Sequence, residues 1–207
     1  MASAGKAKYY FLVPNLVMRQ IKLGDIITDP YNPHNVLIAA DQGRSLPSVD
    51  SIVLTDYTLD MAKQDGLKPQ RQLFGALGGS LGVGADISNV TMLQYRIGVL
   101  ETIFCDSLST EDIGLRIQDH RVRSTMKGGI FRRNKPVYIV TGVKVAKDLE
   151  VATSGSEAGQ LKKAEIREKF RIPEKVVIAY QLKKIELPRG KEKDLKINNF
   201  TSSAAFM

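Results

Sequence analysis

The sequence predicts an α+β fold, a twisted antiparallel sheet of long amphipathic strands with flanking helices. Three observations carry that prediction. Apolar residues recur at every second position over several extended segments, the period of a strand with one buried face. Among these segments lies Ser107-Leu-Ser-Thr-Glu-Asp112, a helix start with Ser109 or Thr110 as cap and acidic residues in the first turn. Finally, 207 residues of which 43% are hydrophobic and 25% charged suit one core of ordinary size, or one core plus a tail.

From Lys8 to Leu23, the residues Phe11, Leu12, Leu16, Met18, Ile21 and Leu23 interleave with Arg19 and Lys22, which predicts a short helix interrupted at Pro14. Turn chemistry at Thr28-Asp-Pro-Tyr-Asn-Pro33 leads into a short buried strand, Val36 to Ala40. Asp41 to Pro47 then closes a hairpin against Ser51 to Leu54, with Arg44 at its tip. The longest alternation runs through Leu73, Gly75, Leu77, Gly79, Leu81, Val83, Ala85 and Ile87, and a second through Leu93, Tyr95, Ile97, Val99 and Ile103. Asp86-Ile-Ser-Asn89 can turn the chain between them, so the two arms are expected to pair as one long hairpin.

Between Arg116 and Lys135 stand seven Lys or Arg against a single acidic residue, Asp119, and Gly128-Gly129 breaks the stretch: a basic helix and loop. A third arm passes through Val137, Ile139, Thr141, Val143, Val145, Leu149 and Val151, with Lys144, Asp148 and Glu150 on the opposite face. A flexible stretch from Ala152 to Gly159 and a charged segment from Lys162 to Arg171 separate it from a fourth arm, Val176 to Leu187. Beyond Pro188 the Lys-rich, then Ser- and Ala-rich end reads as a mobile basic tail.

Composition narrows the chemistry. A run of about 18 apolar residues is missing, and the start, Met1 to Lys8, lacks the apolar stretch of a secretory signal, so a cytoplasmic chain is expected. Cys105, the one cysteine, follows Ile103-Phe104 and reads as a small hydrophobe at a strand end. His34 and His120 are too few for a zinc site, and no metal or other cofactor is expected. The glycines of Gly75 to Gly84 are not followed by Gly-Lys-Ser/Thr, and a G-x-G-x-x-G spacing fails at Ile87, so no nucleotide loop is expected. With neither a nucleophile motif nor a paired-carboxylate cluster, the chain does not read as an enzyme. The net charge of +8 attracts nucleic acid and anionic lipid alike. An aromatic fraction of 7%, without tryptophan or an RNP-like segment, argues against nucleic acid as the partner.

Arm length bears on function. Ordinary strands run about five or six residues, whereas a strand that crosses a bilayer needs about nine to eleven, with one face to lipid and one to a lumen. Inserted hairpins must find neighbours, because bare backbone edges are costly in hydrocarbon, and a closed barrel of many subunits meets that demand. The same alternation also fits a half-buried sheet whose polar face meets water, and periodicity alone does not choose.

Four blocks in order resemble the gasdermin pore-forming family. Thr55-Asp-Tyr-Thr-Leu59 with Lys68-Pro69 is the first. Gly79-Ser-Leu-Gly-Val-Gly84, with Val99-Leu-Glu-Thr102 closing its hairpin, is the second. Val137-Tyr-Ile-Val-Thr141 followed by Lys147-Asp-Leu-Glu-Val151 is the third, and Ile172-Pro-Glu-Lys-Val-Val-Ile-Ala-Tyr-Gln-Leu182 the fourth. The resemblance spans about residues 8 to 187 and implies a pore-forming domain over 1–187, with 188–207 as the tail. It implies that the sheet refolds into membrane β-hairpins, two per subunit, after docking on anionic lipids and oligomerising, moving from cytoplasm to plasma membrane and causing regulated, pyroptosis-like cell death. The implied lipid-binding residues are Lys6, Lys8, Arg19, Lys22 and Arg44, with Arg132, Arg133 and Lys135 as a second patch that is alternatively a subunit contact. The implied membrane-inserting residues are Leu77, Leu81, Val83, Leu93, Tyr95, Ile97, Val99, Ile139, Val143, Val145 and Leu149. Many family members carry a C-terminal repressor domain, and this sequence stops before one. Either the sequence is a truncated form of such a protein or, the reading favoured, the resemblance is nearest in kind to short fungal allorecognition proteins, for which control by a sequence-divergent variant, in a homo- or hetero-oligomer, is expected. A basic peripheral lipid-binding module without insertion, or a nucleic-acid-binding one, is the competing expectation.

Overall fold

The computed structural model describes residues 10–12, 21–40, 49–62, 90–106, 108–127, 134–155, 165–188, 195–201 and 205–206. Their strands form one ten-stranded, mostly antiparallel sheet with two short helices beside it, the α+β class expected. In chain order these are β1 (Tyr10–Leu12), β2 (Ile26–Ile27), β3 (Val36–Ile38), β4 (Asp50–Ala62) and β5 (Val90–Phe104). Helices α1 (Thr110–Arg116) and α2 (His120–Met126) follow, then β6 (Val137–Gly155), β7 (Glu165–Ile172), β8 (Val176–Glu186), β9 (Lys196–Asn199) and β10 (Ala205–Phe206).

Strand β6, at 19 residues, is the spine. One edge of it pairs with β8 from Val137 to Ala146 and then with β7 from Leu149 to Gly155. The other pairs with β2 at Tyr138 and Ile139, and with β5 from Gly142 to Gly155. Both faces of its first half are covered, so Val137 through Val143 are all buried. That is the burial of a central strand, and it explains why alternation fades there.

The helices start where the sequence says they should. The Ser109 hydroxyl accepts from the Asp112 amide (3.0 Å) while the Asp112 carboxylate accepts from the Ser109 amide (3.1 Å), a complete capping box. The Ser109 hydroxyl also donates to the Asp112 carboxylate (2.6 Å), and this bond, with the one from the Ser109 amide, holds that carboxyl below its usual range. Asp119 caps α2, accepting from the Arg121 amide at 2.8 Å. Ile113, Ile117, Val122 and Met126 then close over Ile26, Ile38, Val137, Ile139 and Ile185 in a second core layer. Cys105 joins that layer, a buried free thiol just past the end of β5, as its apolar neighbours suggested.

Four expectations are corrected. Tyr10–Leu12 is a strand paired with β8 and β10, whereas a helix was expected from Lys8. Sheet pairing overrides the loose helical period, because Tyr10 gains a buried seat over Gly142. Val36–Ile38 pairs with β2 rather than with Ser51–Leu54, which belongs to the long strand β4. Of the hairpin expected between Leu73–Ile87 and Leu93–Ile103, the first arm lies outside the described residues, and the second, in β5, is paired on its two edges with β4 and β6. The charged segment ending at Arg171 contains β7, whose alternation is masked by its lysines and glutamates. Lastly, the basic end is in the sheet over Lys196–Asn199 and Ala205–Phe206. Phe200 anchors it: its amide donates to the Leu182 carbonyl (3.0 Å), and its ring stands edge-on to Tyr138 at 4.9 Å.

Candidate functional site

Beyond the double-covered core the sheet continues as a four-stranded antiparallel ribbon in the order β4-β5-β6-β7. Its strands are 13, 15, 19 and 8 residues long. At about 3.3 Å per residue, β5 alone reaches roughly 50 Å. Two hairpin-like pairs make up the ribbon, β4 with β5 and β6 with β7, adjacent along the β5–β6 ladder.

One face of the ribbon is apolar. Cross-strand partners Ile97 and Leu149 are buried, as are Tyr95 and its partner Val151. The other face is ionic. Lys169 Nζ lies 2.9 Å from a Glu150 carboxylate oxygen, and Arg171 lies 3.3 Å from Asp148. The Lys169 hydrogen bond, with the nearby Arg171 and Arg96 charges, holds the Glu150 carboxyl below its ordinary range. These pairs are exposed and contribute little stability each. They give the face its polarity instead.

Strand β4 is the unusual edge. Ile52 (53% exposed), Val53 (56%) and Leu54 (45%) point to opposite faces in turn, yet all meet solvent. Among the described residues β4 pairs with β5 only and β7 with β6 only, so the ribbon has two edges. A long apolar edge strand is a template for pairing with another chain.

Of the expected membrane-inserting residues, Tyr95, Ile97 and Leu149 come together on the apolar ribbon face. Val99 and Val145 are half-buried just above it. Ile139 and Val143 lie deep in the double-covered part of the sheet, opposite Lys183 and Tyr180 of β8. Leu93 sits on β5 opposite Met61, and Leu77, Leu81 and Val83 lie outside the described residues. Of the expected lipid-binding residues, Lys22 and Lys135 are exposed, and Lys6, Lys8, Arg19, Arg44, Arg132 and Arg133 lie outside the described residues. The basic helical segment is less free than its charge count suggests. Arg116 is buried and donates to the Gly24 carbonyl at 3.3 Å, and Arg121 grips Asp119 through two side-chain hydrogen bonds.

Sequence reading missed β4 as an arm of the ribbon, although Val53, Thr55, Tyr57, Leu59 and Met61 alternate with Asp56, Thr58 and Asp60. The signal was present but was cut short at Leu54. Ile166, Phe170 and Ile172 carry the equivalent signal for β7.

No helix among the described residues is long and apolar enough to cross a membrane, which leaves strands untouched. No protein-family model matches the chain, and no curated protein matches it. Among solved structures, the fold is similar to a bacterial gasdermin from Bradyrhizobium tropiciagri, with a TM-score of 0.49 and 14% sequence identity over 92% of this chain and 85% of that one.

Proposed function

We propose that this chain is a pore-forming protein that docks on anionic lipid, oligomerises and inserts the ends of its two ribbon hairpins. The ribbon is the observation that carries the reading: two antiparallel strand pairs, side by side, with an apolar face at Tyr95, Ile97, Leu149 and Val151 and an ionic face at Asp148, Glu150, Lys169 and Arg171. That division is what a barrel wall requires, with lipid on one side and a wet lumen on the other. β4, β5 and β6 exceed the nine to eleven or so residues of a spanning strand.

Strand count supports assembly. Four antiparallel strands put oppositely directed β4 and β7 at the two edges, so β7 of one copy beside β4 of the next continues the alternation. Such head-to-tail contact builds rings, and only a closed ring removes the unpaired edges from lipid. The exposed Ile52, Val53 and Leu54 suit that contact. Lys22, Lys135 and the sequence's other basic residues, Lys6, Lys8, Arg19, Arg44, Arg132 and Arg133, would supply attraction to the headgroups at about 1 kcal/mol each. In this reading the chain acts at the cytoplasmic leaflet of the plasma membrane in regulated cell death, and a sequence-divergent variant of the allorecognition kind triggers it.

The test is release of dye from vesicles of phosphatidylcholine and phosphatidylserine, alone and with a divergent variant added. Leakage that needs the anionic lipid and weakens with salt is expected. Binding without leakage in both arms would overturn the reading and favour a peripheral lipid-binding module.

A further inference from the structure

The ionic face of the ribbon is sorted by strand. Asp56 and Thr58 of β4, Arg96 of β5, Asp148 and Glu150 of β6 and Arg171 of β7 line one recess, so they share that face. Lys169 of β7 lines a smaller notch beside it with Arg96 and Glu150, and Asp60 of β4 follows Thr58 by two residues, opposite Gln94. Strand by strand the charges on this face are acidic on β4 (Asp56, Asp60), basic on β5 (Arg96), acidic on β6 (Asp148, Glu150) and basic on β7 (Lys169, Arg171). Glu168 of β7 stands outside the pattern, opposite Thr153 on the other face. Opposite charges on neighbouring strands attract and like charges repel. One copy is consistent with itself: Arg96 is the cross-strand partner of Glu150, Lys169 lies 2.9 Å from Glu150, and Arg171 lies 3.3 Å from Asp148.

The two edge strands therefore carry opposite signs on one face, β4 negative and β7 positive. Asp56 is exposed, and the Lys169 and Arg171 side chains are 51% and 62% exposed, so both charges are open to a neighbour. When β7 of one copy lies antiparallel to β4 of the next with like faces aligned, the possible staggers differ by two residues. With the rung Tyr57–Ile97–Leu149–Ile172 continued straight across the seam, Lys169 faces Asp60. A shift of two residues in either direction sets Arg171 opposite Asp60 or Asp56 instead. Each of these seams continues the alternation of sign. β4 against β4 sets acid beside acid, and β7 against β7 sets base beside base. The exposed Ile52, Val53 and Leu54 carry no such preference, since an apolar edge is a template for any strand.

We propose that charge selects the seam between copies: Asp56 and Asp60 on β4 receive Lys169 and Arg171 on β7 of a second copy, and this fixes head-to-tail order. That a ribbon edge meets another copy in a membrane ring rests on the pore-forming reading, whereas which edge it accepts rests on the charges. Each exposed pair is weak by itself. Discrimination comes from repetition, because a ring presents the same seam at every subunit. A two-fold dimer through β4, which would end growth, sets like charges together on the same strand and is disfavoured.

The experiment reverses charge on each edge and reads dye release from vesicles of phosphatidylcholine and phosphatidylserine. One variant carries Asp56→Asn with Asp60→Lys, asparagine keeping the tolerance of the left-handed backbone that Asp56 adopts (φ 51°). The other carries Lys169→Glu with Arg171→Glu. Each alone should leak about tenfold more slowly than the unaltered chain, because every seam then joins like charges. An equal mixture of the two should recover most of the rate, since alternating copies restore opposite charges at every seam. Variants that leak as fast as the unaltered chain, or a mixture no faster than its components, would overturn the charged seam and leave the pore reading standing. An unaltered chain that binds without leaking overturns both. Reversal on β7 also opposes Glu150 and Asp148 within the copy, so crosslinking supplies an independent arm. Cys105→Ala chains carrying Asp60→Cys and Lys169→Cys, mixed on the vesicles, should crosslink to each other. Dimers joined through residue 60 of both copies as the main product would sink the proposal, even where a reversed variant fails to fold.

Discussion

The two halves of strand β6 are built on different principles. From Val137 to Val143 every residue is buried, with sheet partners on both edges and cover on both faces. From Leu149 onward one face is buried while the other carries ion pairs to β7. The first half resembles the interior of a stable domain. The second keeps an amphipathic surface, whose exposed ion pairs add little to the stability of a single copy. The lesson is a division of labour along one strand: burial on both faces fixes the fold, and one-sided burial keeps a segment available for a second environment.

Substitutions should separate the halves, beginning with the largest effect. Ile139→Asp places a carboxylate in the fully buried layer beneath the helices and should cost more than about 4 kcal/mol, leaving no folded protein. A cooperative urea transition in that variant would refute the account of the core. Phe200→Ala should cost about 2 kcal/mol by removing the ring against Tyr138 and releasing β9. If hydrogen exchange at Lys196–Asn199 is unchanged in it, the tail is not anchored as described. Ser109→Ala deletes the capping box of α1 and should cost about 1 kcal/mol, read as a lower urea midpoint at constant m-value.

Acid should act on both halves by the same sign. Asp112 and Asp119 in the helical part and Glu150 in the ribbon all have folded-state carboxyl pKa values below normal. Their contribution is present above the ordinary carboxylate range near pH 4 and lost as pH falls through the lowered folded values. A thermal midpoint that rises as pH drops from about 5 to 3 would contradict this. Smallest of all, Arg96→Ala on the polar ribbon face should change stability by less than about 0.5 kcal/mol. Ile52→Lys on the β4 edge should do the same while cutting vesicle leakage. A large stability loss at either site would show that the ribbon is part of the core after all.

Much of this was legible in the residues themselves. Ser109 and Asp112 announced α1, the alternation from Val137 onward announced β6, and Val176 to Leu187 announced its partner β8. These features are local: a cap forms within one turn, and period two is a property of the strand that bears it. Pairing was not local. Nothing near Leu93 says that its neighbours are Met61 and Thr153 rather than residues of the glycine-rich arm, because edge hydrogen bonds are alike for any strand and the choice is made by total burial.

The sequence by itself determined that long strands with an apolar and a polar face exist, and that the chain is basic and carries a single cysteine. Only the tertiary structure decided where each strand's apolar phase breaks. Tyr95, Ile97 and Val99 read as one stripe, yet the fold buries Leu100 and leaves Val99 half-buried, beside a rung at which Asp56 and Asp148 take the left-handed region. That two such residues, on β4 and β6, flank the same point of β5 is visible only once the strands lie side by side.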